Sequence, residues 1–212
     1  MNRVDPEGDR IRPKSFPEFL MILNSLNTID RSYVRLDYQG YIDHVLLQSH
    51  YSGSNNYQSL LKLVKSDQYI ITISLSDYYY YLDANGVQSK RIMSYQGIDS
   101  FFIGNSNGKG INTSTGEVGF LGKTLFPDFK GKENSIDSNI NVIININLTQ
   151  LGRSETFAHE AYGHALLYVI SNGDRDRASH DFGSGNTDNN KELYEMINSA
   201  IQETTANYYE NN

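Results

Sequence analysis

Residues 139–147, NINVIININ, run within a few residues into a helical stretch carrying AHEAYGHA, and this pair constrains the fold more than any other part of the chain. Ile140, Val142, Ile144 and Ile146 alternate with Asn141, Ile143, Asn145 and Asn147, so the strand has one apolar face and one mostly amide face. Ser154 is placed to cap the following helix, Glu155 suits its first turn, and Asn172-Gly173 reads as its stop. Residues 191–209 form a closing helix with Leu193, Ile197, Ala200, Ile201 and Thr204 on its buried side. Strand, histidine-bearing helix, polar loop and closing helix together predict an α+β domain.

The rest of the chain supplies the remaining layers. Phe16, Phe19, Leu20, Leu23 and Leu26 predict a helix, as do Tyr57, Leu60, Leu61 and Val64. Residues 33–38 read as a short strand, and residues 41–49 suit helix or strand equally. Residues 68–76 and 78–83 are rich in β-formers, and Asn85-Gly86 marks a hairpin turn after them. The tyrosines at 78–81 suit sheet packing. Residues 1–15, polar and broken by Pro6 and Pro13, read as a linker ahead of one domain spanning 16–212.

Composition narrows the functional classes. The net charge of −7, with no long basic run, argues against a nucleic-acid partner, which needs clustered lysine and arginine. No stretch approaches the ~18 consecutive apolar residues of a membrane span, and the charged first residues carry no signal-peptide core. The absence of cysteine leaves His, Asp and Glu as ligands for any zinc ion. The loop GNSNGKG is one residue too short for a phosphate loop, and Gly110 stands where its Ser/Thr belongs.

His159 and His164 are five residues apart, with Glu160 beside the first. On a regular α-helix, side chains five apart diverge by about 140°, too far to share one ion. One π-type turn returns positions i and i+5 to a common face, so a shared metal predicts a π-bulge near residues 161–163, eased by Gly163. A catalytic zinc needs one more protein ligand and leaves a position for water. His180 and Glu203 are both candidates, the second because a carboxylate near the core side of its helix is costly without a partner.

HEAYGH resembles the H-E-x-x-G-H motif of the dipeptidyl peptidase III family, and ETTAN at 203–207 is similar to the E-x-x-A-acidic or E-x-x-A-N pattern that supplies the third ligand there and in several small gluzincins. The resemblance implies a zincin-like α+β fold with a mixed or antiparallel sheet and a C-terminal helix supplying the third ligand. It implies Zn2+ held by His159, His164 and Glu203, with Glu160 as general base. Asn207 stands where some relatives carry an acidic residue that orients a histidine. His180 is the leading oxyanion donor, with Tyr162 or Tyr208 behind it. The strand at 139–147 could hold an extended peptide or protein substrate.

NRVDPEGD at 2–9 resembles the close of the Rhs-repeat-associated core, which precedes variable C-terminal effector domains in Rhs-type polymorphic toxins. That resemblance implies a metallopeptidase effector exported as part of an Rhs-type protein, with an immunity protein as partner. The alternative is a non-catalytic binding module whose metal site is structural, which a closed site containing both His180 and Glu203 would favour.

Overall fold

The computed structural model describes residues 11–50, 52–66, 68–93, 109–111, 118–127, 133–180 and 191–212, and only the backbone of 109–111 and 118–120. The elements run β1 (Ile11–Pro13), α1 (Phe16–Asn24), α2 (Thr28–Arg31), α3 (His44–Gln48), α4 (Asn55–Val64), β2 (Ile71–Ser76), β3 (Tyr78–Leu82) and β4 (Gln88–Ile92). They continue with β5 (Lys109–Ile111), β6 (Val118–Phe120), β7 (Gly122–Leu125), β8 (Ile140–Asn145), α5 (Gln150–Phe157), a π-helical segment (Ala158–Ala165), α6 (Leu166–Ile170) and α7 (Lys191–Asn211). The fold is α+β, as the order of elements predicts. Among the described residues no helix is long and apolar enough to cross a membrane.

The main sheet has the order β1-β2-β8-β7. β1, β2 and β8 are parallel, and β7 runs antiparallel along the far edge, so the sheet is mixed. Ile71, Ile73, Ile140, Val142 and Ile144 face the helices and join Phe157, Ala161 and Leu167 in the main core. Ile143 and Leu125 point the other way, into a second cluster with Tyr79 and Met93 beneath the β3–β4 hairpin. The amide face of β8 is therefore covered too: Asn145 is fully buried and donates to the Met93 carbonyl at 2.9 Å. Asn141 meets Thr72 on the neighbouring strand and Asp137 below it.

Several local expectations shift. Ile11–Pro13, read as linker, pairs with Ile71–Ile73 as the edge strand. In α1 the buried positions are Glu18, Met21, Ile22 and Asn24, while Phe16 is 69% exposed. The helix is turned because the Glu18 carboxylate accepts the Leu75 N–H at the end of β2 and the Ser15 hydroxyl at its own start. Residues 33–38 form no strand, only a single bridge between Leu36 and Ile42 around Gly40 at φ 84°. α5 starts earlier than expected because Thr149, rather than Ser154, accepts the Gly152 N–H. Ser154 lies inside the helix with its hydroxyl on the Gln150 carbonyl. The stop holds: Asn172 and Gly173 take φ 56° and 86°. The hairpin at Asn85-Gly86 forms with Gly86 at φ 75°. Residues 1–9, which carry the Rhs-like stretch, and most of GNSNGKG lie outside the described residues.

Candidate metal centre

The helix that begins at Gln150 does not stay α-helical. From Ala158 to Ala165 it is a π-helix, and the N–H of Leu166 reaches back five residues to the Ala161 carbonyl. The bulge expected near 161–163 thus exists and spans the whole motif. Gly163 serves it differently from expectation, since its φ is not positive. A Cβ there would stand 2.4 Å from Ile197 Cγ1, so the missing side chain lets α7 lie against the π segment. Gly122 does the same on the opposite flank, where a Cβ would meet Thr156 Cγ2 at 2.5 Å and Glu160 Cγ at 2.8 Å. The segment is clamped between α7 and the edge strand β7.

That clamp aims His159 and His164 together. Their Nε2 atoms lie 3.1 Å apart, and His180 Nε2 lies 3.4 Å from that of His159. Two nitrogens bound tetrahedrally to one zinc at ~2.05 Å would be about 3.3 Å apart, so the observed separations match a shared ion. All three residues offer ligand atoms within 4.8 Å of one another, and among the described residues they form the one cluster able to hold a metal. His164 Nδ1–H donates to the Ala178 carbonyl at 2.6 Å, which turns its Nε2 lone pair toward the other two rings. Burial lowers the pKa of every member of the trio. His159, further depressed by His164 and His180, lies well below its ordinary value. His164 falls to about 4 and His180 to about 3. Neutral imidazoles with converging lone pairs are the donor set a borderline-soft divalent ion takes.

Glu160, on the same segment, is only 3% exposed. The Thr124 hydroxyl donates to its Oε2 at 2.7 Å. Burial pushes the carboxyl up to about 7, against the opposing pull of Thr124 and Lys123. A carboxyl poised near neutrality can both accept and return a proton.

Glu203 is not part of this cluster. Its Oε1 accepts the backbone N–H of Asn56 at 2.9 Å, in the first turn of α4, where a helix N-terminus favours an anion. The neighbouring residues of ETTAN go the same way: the Thr204 hydroxyl accepts from Asn56 Nδ2, and Asn207 Nδ2 donates to the Ser25 carbonyl. The expected third ligand is therefore a rivet between α7 and α4, and His180 takes the place beside the paired histidines. Tyr162 is buried with its hydroxyl 2.8 Å from that of Ser25, and the Tyr208 hydroxyl reaches Gln150 at 3.5 Å. Strand 139–147 offers no free edge, since β8 is paired on both sides; β7 holds the edge. Thr124, Gly122, the Ala178 carbonyl and Tyr194, whose ring lies 5.3 Å from that of His180, were not legible in the sequence. None sits in a motif, and only folding brings them to the histidines.

No family model, curated protein or solved structure matches this chain.

Proposed function

We propose that the chain is a zinc-dependent hydrolase of peptide bonds, with the ion held by His159, His164 and His180. The observation that carries the reading is the convergence of three neutral imidazoles, two brought onto one face by a π-helical segment. Three protein donors leave a coordination position open, the pattern of a catalytic rather than a structural site, and the engagement of Glu203 at Asn56 speaks against a closed four-ligand set. Bound there, zinc would acidify a water and polarise a carbonyl. The chain's own residues do the rest. Glu160 takes a proton and returns it to the leaving amine, and Thr124 fixes the rotamer of that carboxyl. Ala178 fixes the tautomer of His164. His180, now among the ligands, is withdrawn as an oxyanion donor.

The zincin-like assignment and the effector role rest on the HEAYGH and NRVDPEGD resemblances, with a peptide or protein substrate and an immunity protein as the partners they imply. The test is metal analysis joined to a peptide-library cleavage assay. Wild type should carry about one zinc per chain and cleave; Glu160→Gln should keep the zinc and lose at least ~100-fold in rate. A metal-free wild type, or a Glu160→Gln variant that still cleaves, sinks the reading. Expression inside a cell should be toxic for wild type and harmless for Glu160→Gln if the effector role is right.

A further inference from the structure

The stretch bearing His180 has to be brought to the π segment from outside it. The chain leaves α6 through Asn172 and Gly173, both left-handed, and makes a turn in which Ala178 N–H donates to the Asp174 carbonyl at 3.2 Å. Arg177 N–H donates to the Asp174 carboxylate at 3.1 Å. This turn delivers the Ala178 carbonyl to His164 and the His180 ring to His159. Something must set where the turn as a whole sits.

Arg175, in the middle of the turn, is 8% exposed. Its Nη1 donates to Asn134 Oδ1 at 2.9 Å and its Nη2 to the Glu133 carbonyl at 2.8 Å. Its guanidinium lies 5.6 Å from the centre of the Phe126 ring. The acceptor segment is itself anchored: Asn134 exchanges two backbone bonds with Leu82 of β3, and Ser135 N–H donates to Phe126, just past β7. Both of these acceptors are neutral. Burial of the guanidinium outweighs the pull of the nearby Glu133 and Asp176 charges, so it is a poor way to gain stability. It does fix a position, since the planar fork sets two directions at once.

We infer that Arg175 is a positioning residue for the metal centre, a two-pronged strut that ties the His180 turn to the 133–134 segment and so places both the third ligand and the carbonyl that orients His164. The inference rests on the three-histidine reading. It predicts that the site's affinity depends on a residue that touches no ligand. Removal of a group that orients metal ligands costs about 10–100-fold in affinity, and Arg175→Ala should lose that much. Arg175→Lys should recover only part, because an ammonium cannot make both bonds in the fork geometry.

The experiment titrates the purified full chain with cobalt(II) and zinc(II), following cobalt absorption and competition with a chelator. A control, Tyr57→Phe, removes a buried bond to the Leu47 carbonyl, which ties α4 to α3 and involves no residue of the turn. The expected result is weakened binding in Arg175→Ala, a cobalt spectrum approaching that of His180→Ala, and unchanged binding in the folded control. Should Arg175→Ala fail to fold, Asn134→Ala removes the Nη1 acceptor and carries the same prediction. Wild-type affinity and spectrum in these variants would overturn the strut while leaving the metal centre standing. Equal weakening in the control would reduce Arg175 to general stability and also overturn it. A wild type that binds neither metal overturns the metal centre and the strut with it.

Discussion

His180 and Glu203 carry opposite expectations from nearly the same evidence, and substitution separates them. His180→Ala should abolish stoichiometric zinc. Glu203→Ala should keep it and lose about 1–3 kcal/mol of stability, because the Asn56 N–H loses its acceptor. Zinc content and urea unfolding read the two effects independently. Glu155 offers a second contrast. It is 2% exposed, its Oε1 accepts the Thr205 hydroxyl at 2.6 Å, and its Oε2 is buried with no hydrogen-bond partner among the described residues. Burial raises its pKa, with Thr205 opposing. The folded chain therefore holds this proton at pH values where the unfolded chain has released it. Its contribution to stability is complete below the unfolded carboxyl value, ~4.3, and is lost as pH rises through the folded value. Glu155→Gln should raise the unfolding midpoint at neutral pH and shrink its advantage toward pH 4, as thermal unfolding across pH would show. In the sequence Glu155 reads as an ordinary first-turn acid, since nothing local signals that α7 covers it.

Among the elements, the π segment had an unusual form that was legible in advance. A five-residue spacing between two ligands is incompatible with a straight α-helix, so a shared site requires an extra residue in the turn. What holds it in that form is the pair of close approaches at Gly163 and Gly122. Gly163→Ala should cost about 1–3 kcal/mol through overpacking against Ile197. Ile197→Ala alone should cost about 2–5 kcal/mol through the cavity it leaves. The double variant should be clearly more stable than the sum, since the new methyl enters that cavity. Additive losses in denaturant unfolding would show that the two residues do not share this space. α1 and α5 show the opposite case. Their helicity follows from their residues, yet the buried face of α1 and the start of α5 were decided by single polar bonds, Glu18 to Leu75 and Thr149 to Gly152. Apolar spacing does not register such bonds.

Across the whole molecule, the two faces of one sheet divide the work. The helical face carries the histidines and Glu160, and the opposite face is roofed by the hairpin, with a cavity of about 410 Å³ lined by Ser74, Asn141, Tyr78 and Tyr80 among others. A metal that binds only the folded chain stabilises it by mass action, about 2.7 kcal/mol at a free concentration of one hundred times Kd. Adding zinc to chelator-stripped protein should therefore raise Tm, and His159→Ala should erase the shift; an unshifted wild-type Tm would mean no ion is held. By itself the sequence determined the α+β order of elements, the hairpin at Asn85-Gly86, the closing helix with its buried face, and the need for a π-turn between His159 and His164. Each follows from periodicity or turn chemistry inside one element, where side-chain direction is set by the backbone's own repeat. Only the tertiary structure decided that His180 rather than Glu203 stands with the paired histidines, that Thr124 holds Glu160, and that the amide face of β8 is covered. Those outcomes depend on where separate elements dock. Docking is set by close approaches and buried polar bonds between residues far apart in the chain, and no repeat along the sequence encodes them.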